Sequence, residues 1–105
     1  MSELRKVKMK IKEDTAIEIA RNLGYEIYKD RNINAYALRH LRGDLVFRRG
    51  HVEFGIVNGE LVYDSMNSES VAQFMTEYIS TELRRRGLTP IIQAGRNEVS
   101  IFVNL

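Results

Sequence analysis

Apolar and polar residues alternate strictly over residues 6–12, with Val7, Met9 and Ile11 against Lys6, Lys8, Lys10 and Lys12, and this is the period of a half-buried strand. The period then changes. Thr15 and Glu18 have capping-box spacing, Ala16, Ile19, Ala20 and Leu23 recur at helical intervals, and Gly24 stands where a left-handed residue ends a helix. Residues 25–29, a polar turn at Asp30-Arg31-Asn32 and a run over residues 34–41 read as a hairpin. Arg42-Gly43-Asp44 turns the chain, and residues 45–48 and 52–57 are further strand candidates on either side of Arg49-Gly50. Ser68 or Ser70 can cap a second helix carrying Val71, Phe74, Met75, Tyr78, Ile79 and Leu83 at helical spacing up to Gly87. Residues 90–94 and 99–103, around Gly95-Arg96-Asn97, form a closing hairpin.

Asn58-Gly59 is the strongest turn signal, because a two-residue type I′ turn requires positive φ at both positions. It fixes a register: Val57 faces Glu60, Ile56 faces Leu61, Gly55 faces Val62, and Glu53 comes opposite Asp64. Phe54, Ile56, Leu61 and Tyr63 then share the core face. Glu53, Glu60 and Asp64 share the other, where directly opposed like charges destabilise the pair unless a cation lies nearby to neutralise them.

The order strand, helix ending in Gly, strand, turn, strand occurs over residues 6–41 and again over 60–103, which suggests a topological β-α-β-β pseudo-repeat. The fold class expected is two-layer α+β: one antiparallel sheet built of hairpins with two helices on one face, forming a single domain over residues 1–105. The expected core is Val7, Met9, Ile11, Ile19, Leu23, Phe54, Ile56, Leu61, Phe74, Tyr78, Ile101 and Val103.

Composition narrows the function classes. The chain has no cysteine, which removes disulfides, thiolate zinc sites and cysteine nucleophiles and suits a reducing compartment. Apolar runs extend a few residues only, against roughly 20 for a bilayer span, and "MSELRKVKMKIK" has no signal-peptide core. A cytoplasmic protein with no membrane partner is therefore expected. There is no GxGxxG, phosphate-binding loop, nucleophile elbow or HExxH, so no catalytic residue, metal ligand or cofactor is assigned, and the balance falls against an enzyme. His40 and His51 lack metal-ligand spacing. Glu53 and Asp64 could serve as an acid–base pair or a cation site only inside a pocket that separates their pKa values.

Charge is uneven. Residues 1–49 hold 12 Lys/Arg against 7 Asp/Glu, a net +5, while residues 50–105 hold 4 against 7, a net −3. Such polarity fits nucleic-acid contact by one half, a self-complementary homo-oligomer, or halves that neutralise each other on folding. The comb Lys6, Lys8, Lys10 and Lys12 sets ammonium groups about 6.5 Å apart, near the phosphate repeat of a nucleic-acid strand. The competing reading makes these lysines counter-ions for Glu53, Glu60 and Asp64. Arg48 and Arg49, beside His51 at a hairpin tip, could reach a phosphate. Arg84-Arg85-Arg86 complements the negative end of the second helix. Tyr25, Tyr28 and Tyr36 lie near basic residues without forming an RNP-like cluster, and packing suits most of them better than base stacking.

The segments "KVKMKIK", "NLGYEI", "VEFGIVNGELVYD" and "ELRRRGL" followed by two strands resemble the small conserved-frame family of plastids and cyanobacteria, the hypothetical chloroplast reading frame thirty-five type. The resemblance spans nearly the whole chain and implies a compact antiparallel sheet with two helices. It brings no activity or catalytic residues with it. The chain departs from that family after Asp64, where the family has tryptophans and this sequence has Ser65-Met66-Asn67 and no tryptophan at all. The functional expectation is a non-enzymatic binding module with nucleic acid as partner through Lys6, Lys8, Lys10, Lys12, Arg48 and Arg49. The alternative is a structural or regulatory homo-oligomer joined by charge-complementary surfaces.

Overall fold

A computed structural model describes residues 2–94 and 99–103. Strand β1 (Leu4–Val7) leads to helix α1 (Glu13–Asn22) and strand β2 (Glu26–Asn32); a loop with a 3-10 turn at Tyr36–Leu38 follows. Strands β3 (Arg42–Arg49), β4 (Val52–Val57) and β5 (Glu60–Asp64) form a meander, and helix α2 (Ser68–Arg85) precedes β6 (Pro90–Ala94) and β7 (Val99–Val103). The first five strands make one antiparallel sheet in the order β1-β5-β4-β3-β2, and β6 pairs with β7 as a separate two-stranded sheet. The fold is thus α+β, with β1 and β2, joined through α1, forming the two outer edges of the main sheet.

The Asn58-Gly59 turn has φ of 52° and 81°, and the pairs Val57–Glu60, Ile56–Leu61 and Gly55–Val62 form as its chemistry requires. Both helices end alike. Gly24 and Gly87 sit at φ 83° and 78°, and the following residue's N–H returns to the helix, Tyr25 to Ala20 O at 2.8 Å and Leu88 to Leu83 O at 3.0 Å. These are Schellman closures, possible because glycine accepts positive φ without a Cβ clash.

Both helices pack on one sheet face. Ala16, Ile19 and Ala20 of α1 and Val71, Phe74, Met75 and Tyr78 of α2 enclose Leu45, Phe47, Phe54, Ile56 and Leu61. Phe54 and Phe74 meet edge to face with centroids 5.3 Å apart, a geometry that adds to the burial energy.

Several expectations are corrected. The first strand stops at Val7: Met9 N–H turns back to Val7 O, and Ile11 N–H bonds Gly59 O at 2.8 Å. Met9 is left 39% exposed rather than in the core, and Lys12 stands at the N-terminus of α1. The capping box does not form, because Thr15 and Glu18 turn their side chains to Glu82 and Arg85 instead. Neither Ser68 nor Ser70 caps α2, whose N-cap position is Asn67. Residues 30–32 continue β2, and residues 34–41 are a loop, not a strand. Residues 42–44 belong to β3 rather than to a turn. Val7, Leu23, Ile101 and Val103 are half-buried, and the remaining expected core residues are buried. The expected turn at Gly95-Arg96-Asn97 lies outside the described residues.

Candidate functional site

The second sheet face, expected to be open, carries a small core of its own. Ile33 and Leu38 of the 33–41 loop pack on Val46 of β3 and Val62 of β5, and all are buried. Gly55 is what lets the loop approach: a Cβ there would sit 2.6 Å from Leu45 O and 3.0 Å from Ile33 Cδ1.

Glu53 and Asp64, buried on this face, are the polar anchors of the loop. The Asn34 N–H donates to Glu53, and Asp64 accepts the Ala37 N–H at 3.0 Å and the Met66 N–H at 2.9 Å. Arg31 approaches Glu53 at 3.9 Å. Among the described residues the expected like-charge conflict is therefore resolved by backbone donors and Arg31, with no lysine involved. Burial pushes the Asp64 carboxyl up, but hydrogen bonds from the Met66 and Ala37 N–H groups, with a smaller one from the Ser2 side chain, help hold the group below the usual carboxylate range. Among the described residues no group of three His, Cys, Asp or Glu could hold a metal ion.

The comb breaks into two parts. Lys12 donates to Glu82 at 3.2 Å, in a junction where the Thr15 hydroxyl gives Glu82 a 2.7 Å bond, Arg85 bonds Thr15 at 2.8 Å, and the Lys12 N–H reaches the Tyr78 hydroxyl at 2.9 Å. The Thr15 hydroxyl, working against burial and aided by Lys12 and Arg85, holds Glu82 below the usual carboxylate range. Lys12 is thus part of the α1–α2 contact. Lys6, Lys8 and Lys10 remain together with Met9, Asn58, Gly59 and Glu60 around an open groove of about 600 Å³ at the β1 edge. Among the described residues these lysines make no ion pair within 4 Å, Glu60 included.

Arg48 and Arg49 do not join that groove. They lie at the end of β3 beside the turn into β4, while the lysine groove adjoins the opposite, Asn58-Gly59 end of β4. Arg49 is structural: it donates to Leu23 O at 2.8 Å and Gln73 at 3.3 Å, and its guanidinium lies 4.5 Å from the Tyr25 ring centroid. Arg48 is exposed, as are His40 and His51. The tyrosines divide: Tyr25 is core, Tyr28 is half-buried under Arg31 at 3.8 Å, and Tyr36 is 73% exposed with Arg39 at 5.3 Å.

Sequence reasoning missed the Thr15–Glu82–Arg85 junction, which joins residues far apart in the chain with no motif to announce it. It also missed an apolar groove of about 350 Å³ between β1 and α2, where Val7, Tyr63, Met75, Ile79 and Ile101 meet beside Arg5. The basic and acidic halves meet within the molecule through Lys12–Glu82 and Arg31–Glu53. No helix among the described residues is long and apolar enough to cross a membrane. Comparison with protein-family models, curated proteins and solved structures finds no match, so the resemblance to the plastid reading-frame family rests on the residues quoted for it.

Proposed function

We propose that the protein is a non-enzymatic binding module that takes the phosphate backbone of a nucleic acid along the β1 edge, with Lys6, Lys8 and Lys10 as its cations. The observation that supports this reading is the pairing state of the lysines. Of the carboxylates that could have neutralised them, Glu53 and Asp64 are committed to loop N–H groups on the covered sheet face, and Glu60 lines the same groove with no ion pair to the lysines within 4 Å among the described residues. Among the described residues no aromatic side chain lines that groove, so binding is expected to be backbone-directed and indifferent to base sequence. A cytoplasmic setting, expected from the cysteine-free composition, supplies such a partner.

The test is fluorescence anisotropy of labelled single- and double-stranded oligonucleotides against the wild type and a Lys8→Glu/Lys10→Glu variant. Reversing two phosphate-contacting charges is expected to weaken binding on the order of 100-fold at low salt. Unchanged affinity would sink the proposal.

A further inference from the structure

Of the three tyrosines near basic residues, Tyr25 is buried in the core and Tyr28 is half-buried under Arg31. Tyr36 is 73% exposed. Its backbone is nonetheless fixed: the Ala37 N–H donates to the buried Asp64 carboxylate at 3.0 Å, the Leu38 N–H donates to Ala35 O at 2.9 Å, and the Leu38 side chain is fully buried. A large ring held in water on an anchored turn adds little to the core, and it has only two side-chain torsions to lose when something binds it.

That turn lies on the same side of the sheet as the lysine groove. Cross-strand partners share a face, and Lys6 pairs with Val62, which is buried in one cluster with Leu38. Alternate residues of β5 mark the path along this face: Glu60 lines the groove, Val62 packs in the Leu38 cluster, and Asp64 accepts the Ala37 N–H. From Glu60 to Asp64 is about 13 Å at the rise of a strand, short against the roughly 4–16 nucleotides that one small domain covers on a single strand. Arg39 stands beside the ring, its guanidinium 5.3 Å from the Tyr36 centroid, and residues 33–41 contain no acidic side chain to repel phosphate.

We infer that Tyr36 is the stacking platform for an unpaired base of the nucleic acid whose phosphates Lys6, Lys8 and Lys10 take, and that the partner is therefore single-stranded, which rests on the proposed phosphate binding at the β1 edge. A base inside a duplex is already stacked on its neighbours and cannot lie on the ring, whereas a single strand presents its bases to aromatic side chains. Stacking on one tyrosine tolerates any base, since every base has a π-face. Tyr36 thus adds selectivity for the single strand and none for sequence. Single-stranded DNA and RNA share this chemistry.

Fluorescence anisotropy with labelled oligodeoxythymidine, oligouridine and a DNA duplex, each about 12 nucleotides long, separates the outcomes. At least one single strand is expected to bind more tightly than the duplex, and the tighter of the two identifies the sugar. Tyr36→Ala is expected to weaken single-strand binding roughly 5- to 150-fold, the range for losing one base–aromatic stack, and to leave duplex binding within about twofold. Because the chain has no tryptophan, Tyr36→Trp supplies a unique fluorophore. This variant should keep its affinity for the single strand, and its emission should be quenched by the single strand and not by the duplex. Far-ultraviolet circular dichroism is expected to show both variants folded, since the ring they replace is exposed. Suppose Lys8→Glu/Lys10→Glu weakens binding while Tyr36→Ala leaves single-strand affinity unchanged, or the Tyr36→Trp emission ignores the single strand: the stacking role is then overturned and the phosphate groove stands. Duplex bound as tightly as both single strands would overturn the inference in the same way, and no binding of any of the three probes would overturn both.

Discussion

Replacing Asp64 with alanine removes the acceptor of two N–H groups, those of Ala37 and Met66, from a buried position between β5 and the 33–41 loop. A buried donor left without a partner costs about 1–3 kcal/mol. Met66 is exposed, so water recovers part of its loss, and the sum comes to about 2–4 kcal/mol, a large share of the roughly 5–15 kcal/mol that holds a domain together. With a urea slope of about 1–1.5 kcal/mol per molar for a chain of this size, the unfolding midpoint should fall by about 2 M. Amide exchange gives the local readout: protection of Asn34 and Ala37 N–H should drop further than protection of the α2 amides.

The same carboxylate gives a pH signature. Its folded pKa lies below the unfolded value of about 3.9. Its contribution is therefore fully present above pH 4 and is lost as pH falls through the folded value. The stability gap between wild type and Asp64→Ala should narrow over that window. A midpoint shift under 0.5 M, or a gap that stays constant down to pH 2, would refute the account of Asp64 as the loop anchor.

Gly55→Ala should destabilise by about 1–3 kcal/mol, because the new methyl meets Leu45 O and Ile33 Cδ1 at less than contact distance; a midpoint equal to wild type in urea would show that the loop does not sit as close to β4 as described. Arg49→Ala should lower stability by about 1–2 kcal/mol through loss of its bonds to Leu23 O and Gln73. Oligonucleotide affinity measured by anisotropy on the same variant should stay within twofold of wild type, because Arg49 is spent inside the fold.

The strong local signals were legible in the chain. Asn58-Gly59 dictated a turn whose Val57–Glu60, Ile56–Leu61 and Gly55–Val62 pairs form as read, and Gly24 and Gly87 marked both helix ends because glycine takes their φ without a Cβ clash. The alternation over residues 6–12 misled, since it continues past the point where Ile11 N–H is captured by Gly59 O and the chain leaves the sheet. Residues 34–41 read as the second arm of a hairpin because they follow the polar Asp30-Arg31-Asn32 stretch, but Ala35, Leu38 and Leu41 pack inward at intervals of three, which suits a covering loop and not a strand. The like-charge problem of Glu53 and Asp64 was visible, but its solution depended on that loop's tertiary position. Lys12 and Arg49 could not be sorted from Lys8 and Lys10 for the same reason: their partners Glu82 and Leu23 O are set by how α1 packs.

The salt dependence of oligonucleotide binding tests the central claim most directly. If Lys6, Lys8 and Lys10 each neutralise one phosphate, log affinity should fall against log salt with a slope of about −2 for single strands or about −2.7 for duplex. Lys8→Gln should make that slope shallower by about 0.7 to 0.9, and Lys12→Gln should leave it unchanged because Lys12 is held by Glu82. Absence of binding at low salt, or a slope that responds to Lys12 and ignores Lys8, would contradict the account.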